Sequence, residues 1–525
     1  MQTAIQTHNL TKRFDQVVAN DKVSFDVRKG EILALLGENG SGKTTLMNML
    51  FGIYFPDEGN IEVGGQAVSI RSPKDAYDLG IGMVHQHFKL VNVFTAAENI
   101  ILGLSVSAIL NRKAASQEIG EISKRYGFDL DPNKKIYNMS VSEKQTVEIV
   151  KVLYRGAEVL ILDEPTAVLT PQESEKLFET LRKVKEDGKA VIIITHKLNE
   201  VLSVSDRVHI LRKGQSIATV NTSETNQHEL TEMMVGRALN LKIDRPITEI
   251  KEDRLALKGL TCLTDDGVKA LNDVSLTLKS GEILGVAGVA GSGQRELCEA
   301  LTGLYPVAEG SIIYRTEDGE ITEIVGKTPK EINQLGITMA FVPEDRLGMG
   351  LVAGMDMTDN VMLRYYDKGS GPFVDRKSSK NLAEGLIDRL KIVTPGVKTA
   401  VRSLSGGNVQ KVLLGREIAS SPRVLIAAYP VRGLDINSSY MIYDLLNKQK
   451  QAGVAVLFIG EDLDVLLELA DRIVVLCDGN ITGIVDAENA TKEQLGLLMT
   501  QVGVGAGRSS DDELLAHASG EVEAT

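Results

Sequence analysis

The residues with the clearest chemistry are Gly37-Glu38-Asn39-Gly40-Ser41-Gly42-Lys43-Thr44-Thr45. They fit G-x-x-x-x-G-K-[ST]. Glycines in such a loop let successive backbone N–H groups converge on one anion, and the helix that follows adds the positive end of its dipole. Lys43 then reaches the β- and γ-phosphates of a nucleotide, and the Thr44 hydroxyl holds Mg²⁺. A second candidate is Leu160-Ile161-Leu162-Asp163-Glu164-Pro165-Thr166. One carboxylate can hold Mg²⁺, and the next can orient or deprotonate an attacking water. Taken alone, an apolar run before Asp-Glu is also an ordinary strand end; downstream of a phosphate loop it becomes a catalytic candidate. The third is His196 in Ile194-Thr195-His196-Lys197, again at a strand end, where a γ-phosphate contact is expected. A lone histidine is otherwise a cap or an exposed polar group.

These groups need elements to hold them. Glu31–Leu36 reads as a short buried strand before the loop, and Thr44–Leu50 as the first turns of an apolar-faced helix after it. Val159–Leu162 and Ala190–Ile194 are continuous apolar runs of strand length, as in a parallel sheet covered on both faces. Between them Gln172–Asp187 is amphipathic, with Leu177, Leu181 and Val184 on one face. The span from Phe88 to Pro132 breaks this rhythm and reads as a helical insertion. The fold class is α/β.

The pattern occurs twice. Val23–Leu33 recurs as Val274–Leu284, an offset of 251 that also takes Gly37, Gly40 and Gly42 to Gly288, Gly291 and Gly293. Further on, an offset of 265 takes Ser140 to Ser405, Asp163 to Ala428 and His196 to Glu461. A period this long means two domains of one fold rather than a solenoid. The expected division is 5–240, a linker at 241–254, 255–502, and a small, polar, acidic tail at 503–525 that reads as disordered.

Bulk composition narrows the class. With 43% hydrophobic and 25% charged residues, the chain has the make-up of a globular protein. No run approaches the ~18 apolar residues that span a bilayer, and the N-terminal stretch has no apolar signal core. Cys262, Cys298 and Cys477 are far apart and form no metal-ligand pattern, which points to buried thiols in a reducing compartment. A net charge of −13 argues against nucleic acid as a partner.

The order of the phosphate loop, Gln86, the Ser140 region, Asp163-Glu164 and His196 resembles the nucleotide-binding domain of ATP-binding-cassette (ABC) proteins. Tandem domains of this kind resemble the ATPase subunit of importers for simple sugars and nucleosides, over about residues 5–500. Val342-Pro343-Glu344-Asp345-Arg346 and Leu404–Lys411 (LSGGNVQK) carry that likeness. His85–Phe88 with Leu90–Asn99 looks closer to nucleoside importers than to ribose or galactose ones.

The resemblance implies two P-loop domains, each with a helical subdomain, using ATP and Mg²⁺. It implies that Phe14 stacks on adenine, although a core aromatic at a strand end would look the same. It places Gly37 through Thr45 around the phosphates, and Thr44, Gln86 and Asp163 around Mg²⁺. Glu164 would act on water, and His196 would hold the γ-phosphate. The implied partners are two integral-membrane permease subunits and an extracellular substrate-binding protein, with this chain at the cytoplasmic face and never touching the solute. The permease would dock near Phe88, Leu90, Val91, Val93 and Phe94, and near Val352–Tyr366 in the second half. Tandem cassettes also act as ribosome-associated translation factors, but these usually carry a long charged linker and two complete sites.

The halves differ. Gln294 and Arg295 stand where Lys43 and Thr44 stand, Ala428 and Tyr429 replace Asp163 and Glu164, and Glu461 replaces His196. Glu344 replaces Gln86, and Asp265 aligns with Phe14. The acids gather where phosphate would sit, so like charges are expected to repel. The signature runs the other way: Ser405-Gly406-Gly407-Asn408 is intact, whereas Ser140-Val141-Ser142-Glu143 has lost both glycines. In this fold ATP lies between the loop of one domain and the signature of the other. One complete site is therefore expected, made from the first loop and the second signature.

Overall fold

The computed structural model describes residues 2–15, 17–85, 88–104, 112–167, 169–236, 243–248, 252–366 and 374–500. Two compact units divide at residues 241 and 242.

In the first unit a six-stranded sheet runs in the order 215–221, 207–212, 32–36, 190–195, 159–163, 81–84. Its inner strands are parallel and buried throughout, which is why Ile32–Leu36, Val159–Asp163 and Ala190–Thr195 are uninterrupted apolar runs up to their last residues. The register decides what meets at the carboxyl edge. Leu36 pairs with Thr195, and Ile194 with Asp163, so the phosphate loop, Glu164 and His196 all leave neighbouring strands at one end. In open parallel sheets this edge is where ligands bind. The expected amphipathic helix forms as Pro171–Glu186, burying Leu177, Phe178, Leu181 and Val184. A smaller antiparallel sheet carries Thr3–Phe14 against Val17–Val23 and Glu58–Val63. Helices Ala96–Ile101, Arg112–Tyr126 and Val141–Tyr154 make a helical subdomain with its own core of Ile100, Ile119, Ile136, Val147 and Val150.

The second unit repeats the plan. Its six-stranded sheet runs 339–342, 424–428, 455–459, 283–288, 472–477, 480–486, with a four-stranded antiparallel sheet and helices Met357–Tyr365, Arg376–Leu390 and Gly406–Ala419. Residues within the expected linker are tied to this unit. Arg245 donates to the Ala470 carbonyl at 2.9 Å, and Thr248 to the Gly281 carbonyl at 2.7 Å. The strand Asp253–Leu263 follows directly. The expected disordered tail lies outside the described residues. The three cysteines are buried and free. Among the described residues no helix is long and apolar enough to cross a membrane.

Candidate functional site

The phosphate loop of the first unit is held by close approaches that leave no room for side chains. A Cβ at Gly37 would lie 2.4 Å from the Leu211 carbonyl oxygen. Gly42, at φ 97°, would bring one equally close to that of Ala19. Buried Asn20 donates its side-chain amide to the Gly42 carbonyl at 3.2 Å. Asn20 was not singled out in the sequence, since nothing in a polar residue 22 positions before Gly42 marks it as a loop anchor. Helix Lys43–Leu50 starts at Gly42, which offers no side-chain cap, so its first N–H groups remain for an anion. Thr44 is exposed there and Thr45 half-buried.

Lys43 is buried and folded back on the loop, its Nζ 2.6 Å from the Gly37 carbonyl oxygen and 3.0 Å from that of Glu38. Burial lowers its pKa, and the carboxylates of Glu164, Asp163 and Glu38 oppose that shift. The ammonium thus lies within the field of the carboxylate pair. Burial and the neighbouring Glu164 push Asp163 up to about 6, against the pull of Lys43. Burial would also raise Glu164, but the hydrogen bond from His196 and the charges of Lys43 and Lys197 outweigh it and hold this carboxyl below its ordinary value.

Glu164 sits at φ 49°, a left-handed conformation that costs a non-glycine residue free energy and is kept where structure over-determines it. Its N–H is bound by the Ile194 carbonyl at 2.9 Å, which aims the side chain across the strand ends. There Oε1 meets His196 Nδ1 at 2.8 Å. His196 is half exposed while Glu164 is largely covered, so the pair presents a polar face to incoming phosphate or water. Behind them Glu200 binds the Thr166 hydroxyl at 2.5 Å, the Thr195 hydroxyl at 3.1 Å and Lys197 Nζ at 3.2 Å. Glu200 was missed in the sequence because its partners come from two different loops. Phe14 is exposed, as a base-stacking ring must be, and is supported edge-on by Tyr54 with centroids 5.1 Å apart. Gln86 lies outside the described residues.

The donor set fits Mg²⁺ better than a metal caged by protein alone. Thr44 and Asp163 offer hard oxygen donors at adjoining elements, and among the described residues no group of three His, Cys, Asp or Glu could hold an ion by itself.

The two signature segments differ in what their serines do. Ser140 caps helix Val141–Tyr154 in a reciprocal box: its hydroxyl accepts from Glu143 N at 3.2 Å, and Glu143 accepts from Ser140 N at 2.8 Å. Ser405 starts helix Gly406–Ala419 without capping it. Asn408 donates to the Ser405 hydroxyl at 2.9 Å, and Ser405 and Gly406 are exposed. The first segment is closed on itself; the second leaves its hydroxyl proton and leading N–H groups free to meet an anion.

The second unit keeps the backbone of the phosphate site without its chemistry. Gln294 donates to the Val289 carbonyl at 3.0 Å, the bond Lys43 makes to Glu38 in the first unit. Arg295 turns away to Glu299 at 2.6 Å. Tyr429 holds the same left-handed turn as Glu164, at φ 48°. The acids Glu344 and Glu461 gather here as expected, and Arg432, not singled out in the sequence, pairs with both.

The segments expected to dock a permease are pinned alike. Asn99 accepts from Val91 N at 2.7 Å and returns a bond to its carbonyl; Asn360 does the same for Val352, at 2.8 Å. Val91 and Val93, like Val352, Met355, Leu363 and Tyr366, are exposed.

The family model described as ABC transporter matches residues 20–167 and 271–431, covering the phosphate loop and carboxylate strand of the first unit and their counterparts in the second. The chain belongs to the ABC transporter family. This makes it a two-cassette ABC ATPase that binds ATP. The chain is 44% identical over 95% of its length, and 98% of the relative's, to a guanosine import ATP-binding protein, NupO, of Bacillus subtilis. It is 43% identical over the same shares to a nucleoside import ATP-binding protein, NupA, of Lactococcus lactis. It is 38% identical, over 94% of its length and 97% of the relative's, to a ribose import ATP-binding protein, RbsA 1, of Rubrobacter xylanophilus. Among solved structures, archaeal ribosome recycling factor aABCE1 in complex with stalk protein aP1 aligns over 89% of this chain and 87% of that one. The TM-score is 0.56 at 16% identity, a likeness of fold alone.

Proposed function

We propose that this chain is the ATP-hydrolysing subunit of a nucleoside importer, working at the cytoplasmic face of the membrane through two permease subunits, with an extracellular substrate-binding protein delivering the solute. The observation that carries the solute class is the near full-length identity to the guanosine and nucleoside import proteins, at 44% and 43%. Ribose-type sugars are the second reading, supported by the 38% identity to a ribose import protein. The exposed residues of the two pinned segments, around Val91–Val93 and Val352–Tyr366, are the surfaces we assign to the permease.

The chemistry present supports one competent ATP site per chain. Glu164, oriented by its backbone turn and by His196, takes the proton of the attacking water. His196 keeps a face free for the γ-phosphate. Lys43, whose ammonium is held by the Gly37 and Glu38 carbonyls, would turn it to phosphate oxygens. Thr44, Asp163 and Gln86 would hold Mg²⁺, which when bound neutralises charge on the β- and γ-phosphates. Ser405, Gly406, Gly407 and Asn408 would complete the pocket on the far side of the γ-phosphate. Ordering around that phosphate, and release after its loss, supplies the opening and closing that a permease converts to transport.

The test is uptake. Cells lacking the chain should lose import of labelled guanosine and regain it with the wild-type chain but not with Glu164→Gln. Guanosine uptake that persists while ribose uptake disappears would replace the nucleoside reading with the sugar one.

A further inference from the structure

The corner after strand Val424–Ala428 carries Arg432 where the first unit has Ala167. Its guanidinium pairs with Glu344, and its Nε lies 3.0 Å from Glu461. It also stands over the Tyr429 ring, 5.9 Å from the centroid. Glu344, Glu461 and Tyr429 occupy the places of Gln86, His196 and Glu164. One arginine therefore touches the replacements of three groups of the first unit's site, Gln86, His196 and Glu164. Random loss of a catalytic site would not supply a single side chain that meets all three substitutes.

The connection continues toward the signature. The Arg432 carbonyl accepts from the Arg346 guanidinium. Arg346 opens a wide π-type turn, Arg346–Gly350, that Asp345 caps by accepting from Leu347 N at 3.2 Å and Gly348 N at 2.8 Å. Such turns re-aim a side chain locally and recur at functional places. Here Arg346 Nη1 is aimed at the signature: a Cβ added to Gly406 would lie 3.4 Å from it. Arg346, Arg432, Leu404, Gly406 and Val409 line one cleft of about 480 Å³. Counting from Gln86 and Glu344, the counterpart of Arg346 in the first unit is Phe88, so the arginine accompanies only the intact signature.

We propose that Arg432 is a positioning residue that converts the eroded pocket of the second unit into a fixed brace: its guanidinium ties Glu344 to Glu461, and its carbonyl holds Arg346 against Gly406 of the signature. A single ion pair this exposed would stabilise little. Three partners sharing one guanidinium, with a directional bond to the backbone of the same residue, order the corner as a group. In the first unit the γ-phosphate would do the ordering, transiently; in the second a side chain does it permanently. The catalytic consequence rests on the reading that this signature completes the ATP site of the first unit.

Hydrogen exchange on the full chain tests the brace itself. In Arg432→Met, amides of residues 404–409 should exchange faster by about tenfold, with Arg432→Lys and Glu461→Gln intermediate and residues 37–45 unchanged. Unchanged exchange at 404–409 in Arg432→Met overturns the proposal. Should that variant fail to fold, unchanged exchange in both Arg432→Lys and Glu461→Gln overturns it equally. Steady-state hydrolysis by Arg432→Met should show kcat reduced several-fold with KM for ATP near wild type. A normal kcat beside an inactive Gly407→Val removes the catalytic consequence. Faster exchange with normal kcat in both Arg432→Met and Gly407→Val supports the brace and overturns the composite-site reading instead.

Discussion

The carboxyl edges of the two large sheets hold the same backbone and opposite chemistry. Glu164 and Tyr429 share a left-handed turn, at φ 49° and 48°, and each N–H is bound by the neighbouring strand at 2.9 Å. Lys43 and Gln294 both bond back to the same loop carbonyl, at 3.0 Å in each unit. What differs is charge. The first unit has an acid, an imidazole and an ammonium at this edge. The second has Arg432 and its acids. Behind the edge the contrast repeats: Thr166, Thr195 and Glu200 form a polar support in the first unit, and Val431, Gly460 and Val465 stand in those places in the second. The signatures invert the pattern, with Ser140 bound into its own helix and Ser405 left available. The same backbone scaffold thus carries two different sets of side chains.

The comparison breaks most sharply at the reaction centre. Glu164→Gln and Lys43→Ala should each lower ATP hydrolysis by about 10²–10³-fold, the scale of losing one preorganised charged contact. Gln294→Ala and Tyr429→Phe should leave the rate near wild type; a phosphate-release assay on the four variants separates the units. If Gln294→Ala were as damaging as Lys43→Ala, the asymmetry would be wrong. The next effect is at the signatures. A side chain at Gly407 would meet the Ser438 hydroxyl 2.9 Å from its Cβ, so Gly407→Val should cut hydrolysis by about tenfold or more. Ser140→Ala should spare hydrolysis and cost only about 1 kcal/mol of stability from its lost cap, read by urea unfolding.

Smaller still is a difference in acid tolerance. His209 is buried between the Thr219 hydroxyl at 2.8 Å and the Ser216 hydroxyl at 3.1 Å, where the second unit has Val474, Ile484 and Ile481. Burial, reinforced by the charge of Arg207 and opposed by Asp26, pushes this imidazole from 6.5 down to about 4. The fold thus keeps it neutral while the unfolded chain takes up the proton. Its stabilisation is complete above the unfolded value of 6.5 and is lost as pH falls toward 4. The triple change His209→Val, Ser216→Ile, Thr219→Ile should remove roughly 2 kcal/mol of the acid-induced loss between about pH 7.5 and pH 5, measured by urea midpoints. An unchanged pH dependence would show that His209 does not set it.

Contiguous chemistry was legible in the sequence, and chemistry assembled across loops was not. The phosphate loop, Asp163-Glu164 and His196 each end an apolar run, so their place at a strand edge followed from pattern alone. The repeat made the substitutions in the second half readable position by position. Ser140-x-x-Glu143 is a helix-capping pattern, but beside a lost glycine pair it was read only as an eroded signature. Arg432 carried no signal, because its partners Glu344 and Glu461 lie 88 and 29 residues away. The acids were read only as repelling phosphate, with no cation foreseen between them. Asn20 and Glu200 were hidden for the same reason, their roles being set by which loops the sheet register brings together.

The central claim is that a single unit of this chain turns over ATP. Vanadate trapping with labelled ATP in the presence of Mg²⁺, followed by removal of free nucleotide, counts the products directly. One trapped ADP per chain, abolished by Lys43→Ala and retained in Gln294→Ala, is the predicted result. Two per chain, or one that survives Lys43→Ala, would contradict it.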